Sequence, residues 1–322
     1  MTNTKQIYDY FENKYSLGYL GLFKATAMAS MFIKNRDVIP LSILCIAPSG
    51  QFKSRTTIEL TNIFSNKSII DLGSDFTIHS LIDRFDSGKK CQNKTLSIND
   101  LTLLLSSKTQ RTKERLVNAM AEVLSEGIYQ YGERNKSDLY FKARINIIAN
   151  ITKNSYVQNK KNFLDNTFIE RLVPFFYSLT DEQQLAFVKN IEQKKAIAPD
   201  SKITLKGTIV NNYIEFNEAM INMSVKYQCI SLSPSLPRAM EKIKAILGGL
   251  CVINGQSQIT DNEIKFCSEF LPFCSDMDSR DISIIIQYKQ GVSVDEICKN
   301  LGYSSNYPYK VIHKYKEKGI LS

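Results

Sequence analysis

The stretch Ile43-Leu44-Cys45-Ile46-Ala47-Pro48-Ser49-Gly50-Gln51-Phe52-Lys53-Ser54-Arg55-Thr56-Thr57 constrains this chain most. An apolar run of strand length ends in a Pro/Ser/Gly turn, and Lys-Ser follows directly. A helical pattern then begins, with Ile58, Leu60, Ile63 and Phe64 expected on one face. Strand, turn, Lys-Ser, helix is the order of a phosphate-binding loop. Backbone N–H groups of the turn and the helix N-terminus point at phosphate oxygens, and the helix dipole favours negative charge there. Lys53 would reach the outer phosphates and the Ser54 hydroxyl would hold Mg²⁺. The expected phosphate-contacting residues are Pro48, Ser49, Gly50, Gln51, Phe52, Lys53, Ser54 and Arg55. In the usual spacing, G-x-x-x-x-G-K-[ST], both glycines differ here: Ala47 stands at the first and Phe52 at the second.

A chain of 322 residues can bury a sizeable core and accommodate more than one domain. Its formal net charge of +9 permits an anionic partner such as nucleic acid. The 7 cysteines form no C-x-x-C pair and there are only 2 histidines, which argues against a structural zinc site. Scattered thiols in apolar surroundings fit a reducing compartment. No long uncharged apolar run and no signal-type N-terminus is present, so the expectation is a cytoplasmic chain without a membrane span.

Along the chain, residues 5–36 read as helical, with a break near Gly18 and Gly21. Residues 67–72 read as a strand, 76–85 as a short helix and 88–93 as a polar turn. Thr95-Leu96-Ser97-Ile98-Asn99-Asp100 is a β-type run ending in a carboxylate. In a P-loop ATPase such a strand is expected beside the loop strand, its carboxylate holding Mg²⁺ through water and a following acid orienting the attacking water. Two registers are open, Asn99-Asp100 and Asp100-Leu101; Asp100 is favoured as the metal-associated carboxylate. The water-activating acid stays open between Glu126 and Asp100. Residues 109–125 read as an amphipathic helix, and 126–141 as a hairpin whose tip carries Arg134 and Lys136. Residues 143–150 read as a buried strand ending in Asn150, whose amide could bond a terminal phosphate or its attacking water. Arg171 stands just before an apolar strand, where it could stabilise charge on a neighbouring subunit's nucleotide.

Residues 180–230 read as mostly helical and polar. Residues 231–251 read as a helix whose start is Ser233-Pro234-Ser235-Leu236-Pro237, and 259–264 start another running to about Leu271. In the tail, 280–288, 294–301 and a third helix along Tyr309 to Tyr315 read as a helix-turn-helix, winged or truncated-winged. Ser293 is its cap and Glu296 its capping-box acid. Lys310, Lys314, Lys316 and Lys318 stud the third helix, as expected of a helix lying against DNA phosphates.

In this order, the elements resemble an AAA+ ATPase, and more narrowly the MCM-like helicase branch. The resemblance implies an α/β fold: a P-loop AAA+ core over 37–180, a parallel sheet flanked by helices. It is preceded by an N-terminal helical segment over 1–36. Connecting helices and a helical lid would fill 181–275, and a small winged-helix domain 276–322. It implies ATP and Mg²⁺ as cofactors, DNA as partner, and a ring or helical homo-oligomer, a hexamer being the expected form. By similarity, Arg134 and Lys136 touch DNA from a pre-sensor hairpin, and Asn150 matches sensor 1. Arg171 matches the arginine finger, and Arg238, at the start of a lid helix, matches sensor 2. The degraded acid pair at 99–101 and the lack of the family's large N-terminal DNA-binding domain depart from the pattern. A shortened chain of this kind suits a mobile element. The implied activity is that of a helicase or translocase in replication. The alternatives are a nucleotide-gated DNA-binding loader or regulator with little hydrolysis, and a transcriptional regulator whose tail alone binds DNA.

Overall fold

The computed structural model describes residues 2–35, 37–66, 69–71, 94–102, 117–124, 128–131, 139–142, 144–165, 168–192, 202–231, 235–275, 277, 279–289, 291–304 and 306–317. The predicted helix at 76–85 and turn at 88–93 lie outside them, as do Leu116, Glu126, Arg134, Lys136 and Lys318.

Helix α1 (Asn3–Tyr15) is capped by Thr2, whose hydroxyl accepts from the Lys5 N–H, and ends at Ser16 in the left-handed region (φ 54°). The chain therefore breaks at 16–17. Gly18 opens α2 (Gly18–Ser30), and Gly21 lies inside it rather than marking a break. It is there for packing, since a Cβ would come within 2.0 Å of the Phe11 ring.

Strand β1 (Ser42–Ala47) is buried along its whole length, which is why it reads as an unbroken apolar run. Helix α3 (Lys53–Ile63) follows the loop. It buries Thr56, Thr57, Glu59, Leu60 and Ile63, whereas Ile58, expected on the buried face, is 51% exposed. The polar residues are buried instead because they meet polar partners, Thr56 and Thr57 under the loop and Glu59 at the tyrosines of α1.

The sheet is completed by β2 (Ile69–Asp71), β3 (Lys94–Ile98), β6 (Ile145–Thr152) and β7 (Leu172–Phe176). Between them lie a helix over 117–124 (α4) and a hairpin of β4 (Ile128–Tyr131) and β5 (Leu139–Lys142). The hairpin is antiparallel, Tyr129 facing Phe141. The five sheet strands are all parallel, in the order β2-β3-β6-β1-β7. β6 therefore intervenes between the loop strand and the Asp100 strand, which the sequence reading set side by side. β6 also runs on to Thr152, so Asn150 sits inside the strand and not at its end.

Side chains of β1 alternate between two cores. Ile43 and Cys45 join the cluster of α1, α2 and α3, while Leu44 and Ile46 join that of α4 and Tyr156 on α5 (Lys153–Asp165). The helix after β1 thus covers one face and the later crossover helices cover the other. That reversal makes the carboxyl end of β1 a switch point, where open α/β sheets hold ligands.

A 3-10 turn (Ile169–Arg171) leads into β7, and α6 (Asp181–Glu192) follows. The expectation of a mostly helical 180–230 is half right. Residues 202–212 form an extended strap, and a turn at 213–216 leads into α7 (Asn217–Ile230). Two asparagines pin it by imitating a strand partner. Asn66 bonds both the N–H and C=O of Leu205, and Asn35 those of Val210. Helices α7, α8 (Leu236–Asn254) and α9 (Asp261–Phe270), in the stretch expected as connection and lid, share the main core with α1 and α2.

The tail forms α10 (Ser279–Lys289), α11 (Val294–Leu301) and α12 (Asn306–Glu317) around its own small core of Ile284, Ile285, Ile297, Val311, Ile312 and Tyr315. Ser293 caps α11 by accepting from the Glu296 N–H, and Gly302 ends it at φ 66°. No strand accompanies these helices among the described residues, so the tail is a three-helix unit there.

Candidate nucleotide-binding site

The loop after β1 leaves residues 48–50 exposed, and Gly50 takes φ +77° with open space where a Cβ would stand. Phe52 is also left-handed (φ 56°, ψ 17°), at the position where the usual motif has glycine. That conformation costs a side-chain-bearing residue about 1–2 kcal/mol. The ring offsets it. Its centroid lies 4.0 Å from that of Phe187 on α6 and 5.7 Å from that of Tyr15 on α1. Each such aromatic pair contributes about 0.5–1.5 kcal/mol beyond burial. Gln51 fastens the other side: its Oε1 accepts from the Leu179 N–H at 3.0 Å, and its carbonyl accepts from the Tyr177 hydroxyl at 2.7 Å. The loop is thus held in shape by side chains, where glycines would leave it freer.

No side chain caps the N-terminus of α3, so its first amides face the loop. The Lys53 ammonium donates to the carbonyls of Ala47 (2.9 Å) and Pro48 (2.6 Å). Burial lowers the Lys53 pKa, with Cys45 and the Asp100 carboxylate acting in the opposite direction. Ser54 donates to the Asn99 carbonyl at 3.3 Å, just past the end of β3. Asp100 Oδ1 accepts from the Thr102 N–H at 2.9 Å, capping the turn after the strand. The Asn99 amide donates to both Asp71 oxygens (3.2 and 3.0 Å), while its own Oδ1 is buried without a partner. Lys53, Ser54 and Asp100 are therefore brought to one place at the carboxyl end of the sheet. Hydroxyl and carboxylate oxygens suit Mg²⁺, and the donor set fits a metal shared with a phosphate. Among the described residues no group of three or more His, Cys, Asp or Glu could hold a metal ion unaided.

Arg55 does not join the loop. Its guanidinium bonds Glu59 (3.1 Å) and its Nε the Tyr15 hydroxyl (3.4 Å), tying α3 to α1.

The structure adds a residue that the sequence reading missed. Lys24, in the middle of α2, is fully buried beneath the loop. Its ammonium donates to the Lys53 carbonyl, to Thr56 Oγ1 (2.9 Å), to Thr57 Oγ1 (2.8 Å) and to Asn150 Oδ1 (3.3 Å). The available signal was a lone charge in the apolar run GYLGLFKATAMAS. Asn150 is fully buried as well, its amide donating toward the Ile98 carbonyl at 3.5 Å. It supports the floor of the loop from β6.

Arg171 and Arg238 are at the other end of the sheet. Leu172, next to Arg171, pairs with Ser42 at the start of β1. The length of β1, about 17 Å at 3.3 Å per residue, separates that edge from the loop. Arg238 pairs with Glu170 at 3.1 Å, and Lys242 donates to the Leu172 carbonyl at 3.2 Å. With Ile39, Leu41 and Glu241 these residues line a cavity of about 220 Å³. Neither arginine can touch a ligand on the loop of its own chain. Arg238 is therefore not positioned to sense that ligand in cis.

In the tail, Lys310 is exposed on α12. Lys314 is bound to the buried Asp281 at 2.9 Å, together with the Tyr307 and Tyr315 hydroxyls (2.9 and 3.0 Å). Lys314 thus fastens α12 to α10 while staying half exposed. Arg134 and Lys136, the expected hairpin-tip contacts, lie outside the described residues.

Compared with known proteins, the sequence matches no family model and no curated protein. No described helix is long and apolar enough to cross a membrane.

Proposed function

We propose that this chain is an ATP-binding P-loop ATPase of AAA+ type, working on DNA as a homo-oligomer. The observation that carries the reading is the meeting of Lys53, Ser54 and Asp100 at the switch point of a parallel sheet, above an uncapped helix N-terminus. In this reading the α3 amides and Lys53 bind the phosphates, and Ser54 and Asp100 hold Mg²⁺. The bound ion would supply charge neutralisation at the outer phosphates. Loading requires Lys53 to leave the Ala47 and Pro48 carbonyls, which exposes their acceptors while the ammonium gains phosphate oxygens. Arg171 and Arg238, on the opposite edge, serve only a neighbouring copy's site. In an oligomer this edge would face the neighbouring copy's phosphates, with Arg238 held by Glu170 of its own chain. The exposed Lys310 and Lys316 of α12 and the net charge of +9 support DNA as the partner.

A second reading, a nucleotide-gated loader or regulator with little turnover, is favoured by one specific feature. The first residue beyond β3 is an amide, Asn99, and the neighbouring carboxylate of Asp100 is engaged in capping residue 102.

Steady-state turnover with and without DNA tests both. Lys53→Ala and Arg171→Ala are each expected to lose turnover, Arg171→Ala by about 10³-fold or more if it acts as a trans arginine. Mixing the two variants should restore part of it, because one interface in the mixed oligomer keeps both residues. Full activity of Arg171→Ala would remove the trans role. Lys53-dependent binding without turnover would select the second reading.

A further inference from the structure

Among the described residues, Lys24 is buried without a carboxylate partner. Its described partners are a carbonyl, two hydroxyls and an amide oxygen, all neutral. Burying an unpaired ammonium costs several kcal/mol, and a methionine would fill the same space without that cost. The positive end of α3 lies directly above it, and Lys53 is on the first turn of that helix. Asp100 acts on Lys53, but no described carboxylate reaches Lys24, so the free protein carries an excess of positive charge at this point. Such an arrangement gains only when an anion arrives.

Resting on the nucleotide reading above, we propose that Lys24 is the second cation of the phosphate loop: a positioning residue that fixes the Lys53 peptide from below and adds a fixed charge under the phosphates, selecting polyphosphates over monophosphates. It touches no ligand and works through the first turn of α3. Thr56 and Thr57 relay its position, since both hydroxyls also reach the Lys53 carbonyl.

Burial lowers the Lys24 pKa to about 8, with Cys45 raising it and Lys53 lowering it further. Those are the titratable groups facing it, Cys45 from β1 and Lys53 from α3; Asn150, from β6, does not titrate. The Cys45 thiol is itself raised by burial. The charge is therefore present below about pH 8 and lost above it. A bound polyphosphate favours the charged form, so binding above that pH takes up a proton.

The test is calorimetric titration of the full chain with ATP, ADP and AMP between pH 6.5 and 9.5, in buffers of different ionisation heat. Lys24→Met should weaken ATP about tenfold or more, as expected for a fixed charge in a partly buried site, and leave AMP within about twofold. Wild type should take up protons on binding ATP near pH 8.5, and Lys24→Met should lose that uptake. Equal ATP affinity and equal uptake in wild type and Lys24→Met would overturn the proposal. Should Lys24→Met fail to fold, Lys53→Arg decides, since its guanidinium does not titrate in this range: uptake that persists supports Lys24, and uptake that vanishes contradicts it. If wild type binds no ATP, or Lys53→Ala binds it equally well, the nucleotide reading itself falls, a result distinct from failure at Lys24.

Discussion

Glu59→Leu is expected to lower the stability of the chain by about 3 kcal/mol or more, as measured by denaturant unfolding at pH 7. Glu59 is 1% exposed on α3 and accepts from the Tyr10 hydroxyl (2.8 Å), the Tyr15 hydroxyl (3.0 Å), Asn62 (2.9 Å), Lys14 (3.2 Å) and Arg55 (3.1 Å). Leucine would fill the space but leave two buried tyrosine O–H groups without their acceptor and both cations without their carboxylate. Burial alone would raise the Glu59 pKa. The hydrogen bonds from Asn62, Tyr10, Tyr15 and Lys14 outweigh it and hold the carboxyl at about 2, against an ordinary value of 4.5. The folded value is the lower one, so its stabilisation is complete above the unfolded value. It is lost as pH falls from about 5 toward about 2, and amounts to about 3 kcal/mol. Glu59→Gln should remove that part of the acid transition. An unchanged acid midpoint in Glu59→Gln would mean that the carboxylate does not hold α1 to α3.

Gly249→Val should be comparably damaging, for a steric reason. Helix α8 approaches α2 closely at Gly249, where a Cβ would lie 2.5 Å from the Thr26 carbonyl oxygen. That oxygen belongs to the α2 backbone and can yield only if the helix moves. Overpacking of this kind costs about 1–3 kcal/mol and sometimes more. Thr26 is two residues from Lys24, so the shift also disturbs the floor of the loop. Gly248→Ala should cost less. Its Cβ would meet the Tyr213 hydroxyl at 2.5 Å and Ile33 Cδ1 at 2.6 Å, both ends of side chains that can turn aside. Thermal melts of the two variants check the order, and an equal or reversed order would contradict the close approach.

What could be read from the sequence follows from local chemistry. β1 is legible because a strand buried on both faces is continuously apolar, β6 because its apolar residues outnumber Asn146 and Asn150, and α11 because Ser293 and Gly302 punctuate it. The gathering of Lys53, Ser54 and Asp100 is legible in outline, since the loop motif is local. Strand order is not: nothing in the residues of β6 says that it lies between β1 and β3. The left-handed Phe52 escapes notice because its compensation, Phe187, is far along the chain. Asn35 and Asn66 look like ordinary turn residues until the strap they hold is in place. Arg238 was assigned by its order in the chain, whereas its edge of the sheet is set by α8 packing on α2 and β7. Lys24 had a signal, but a lone lysine in an apolar helix is as readily taken for a snorkelling surface residue.

The most direct test of the phosphate-loop assignment is equilibrium binding of ATP with Mg²⁺ to the full chain, wild type beside Lys53→Ala. Loss of a charge-assisted contact worth about 1.5–3 kcal/mol should weaken binding by roughly tenfold to a hundredfold or more, while the melt without nucleotide stays the same. Saturable wild-type binding that collapses in Lys53→Ala is the expected result. No wild-type binding at millimolar ATP, or equal binding by both proteins, would contradict it.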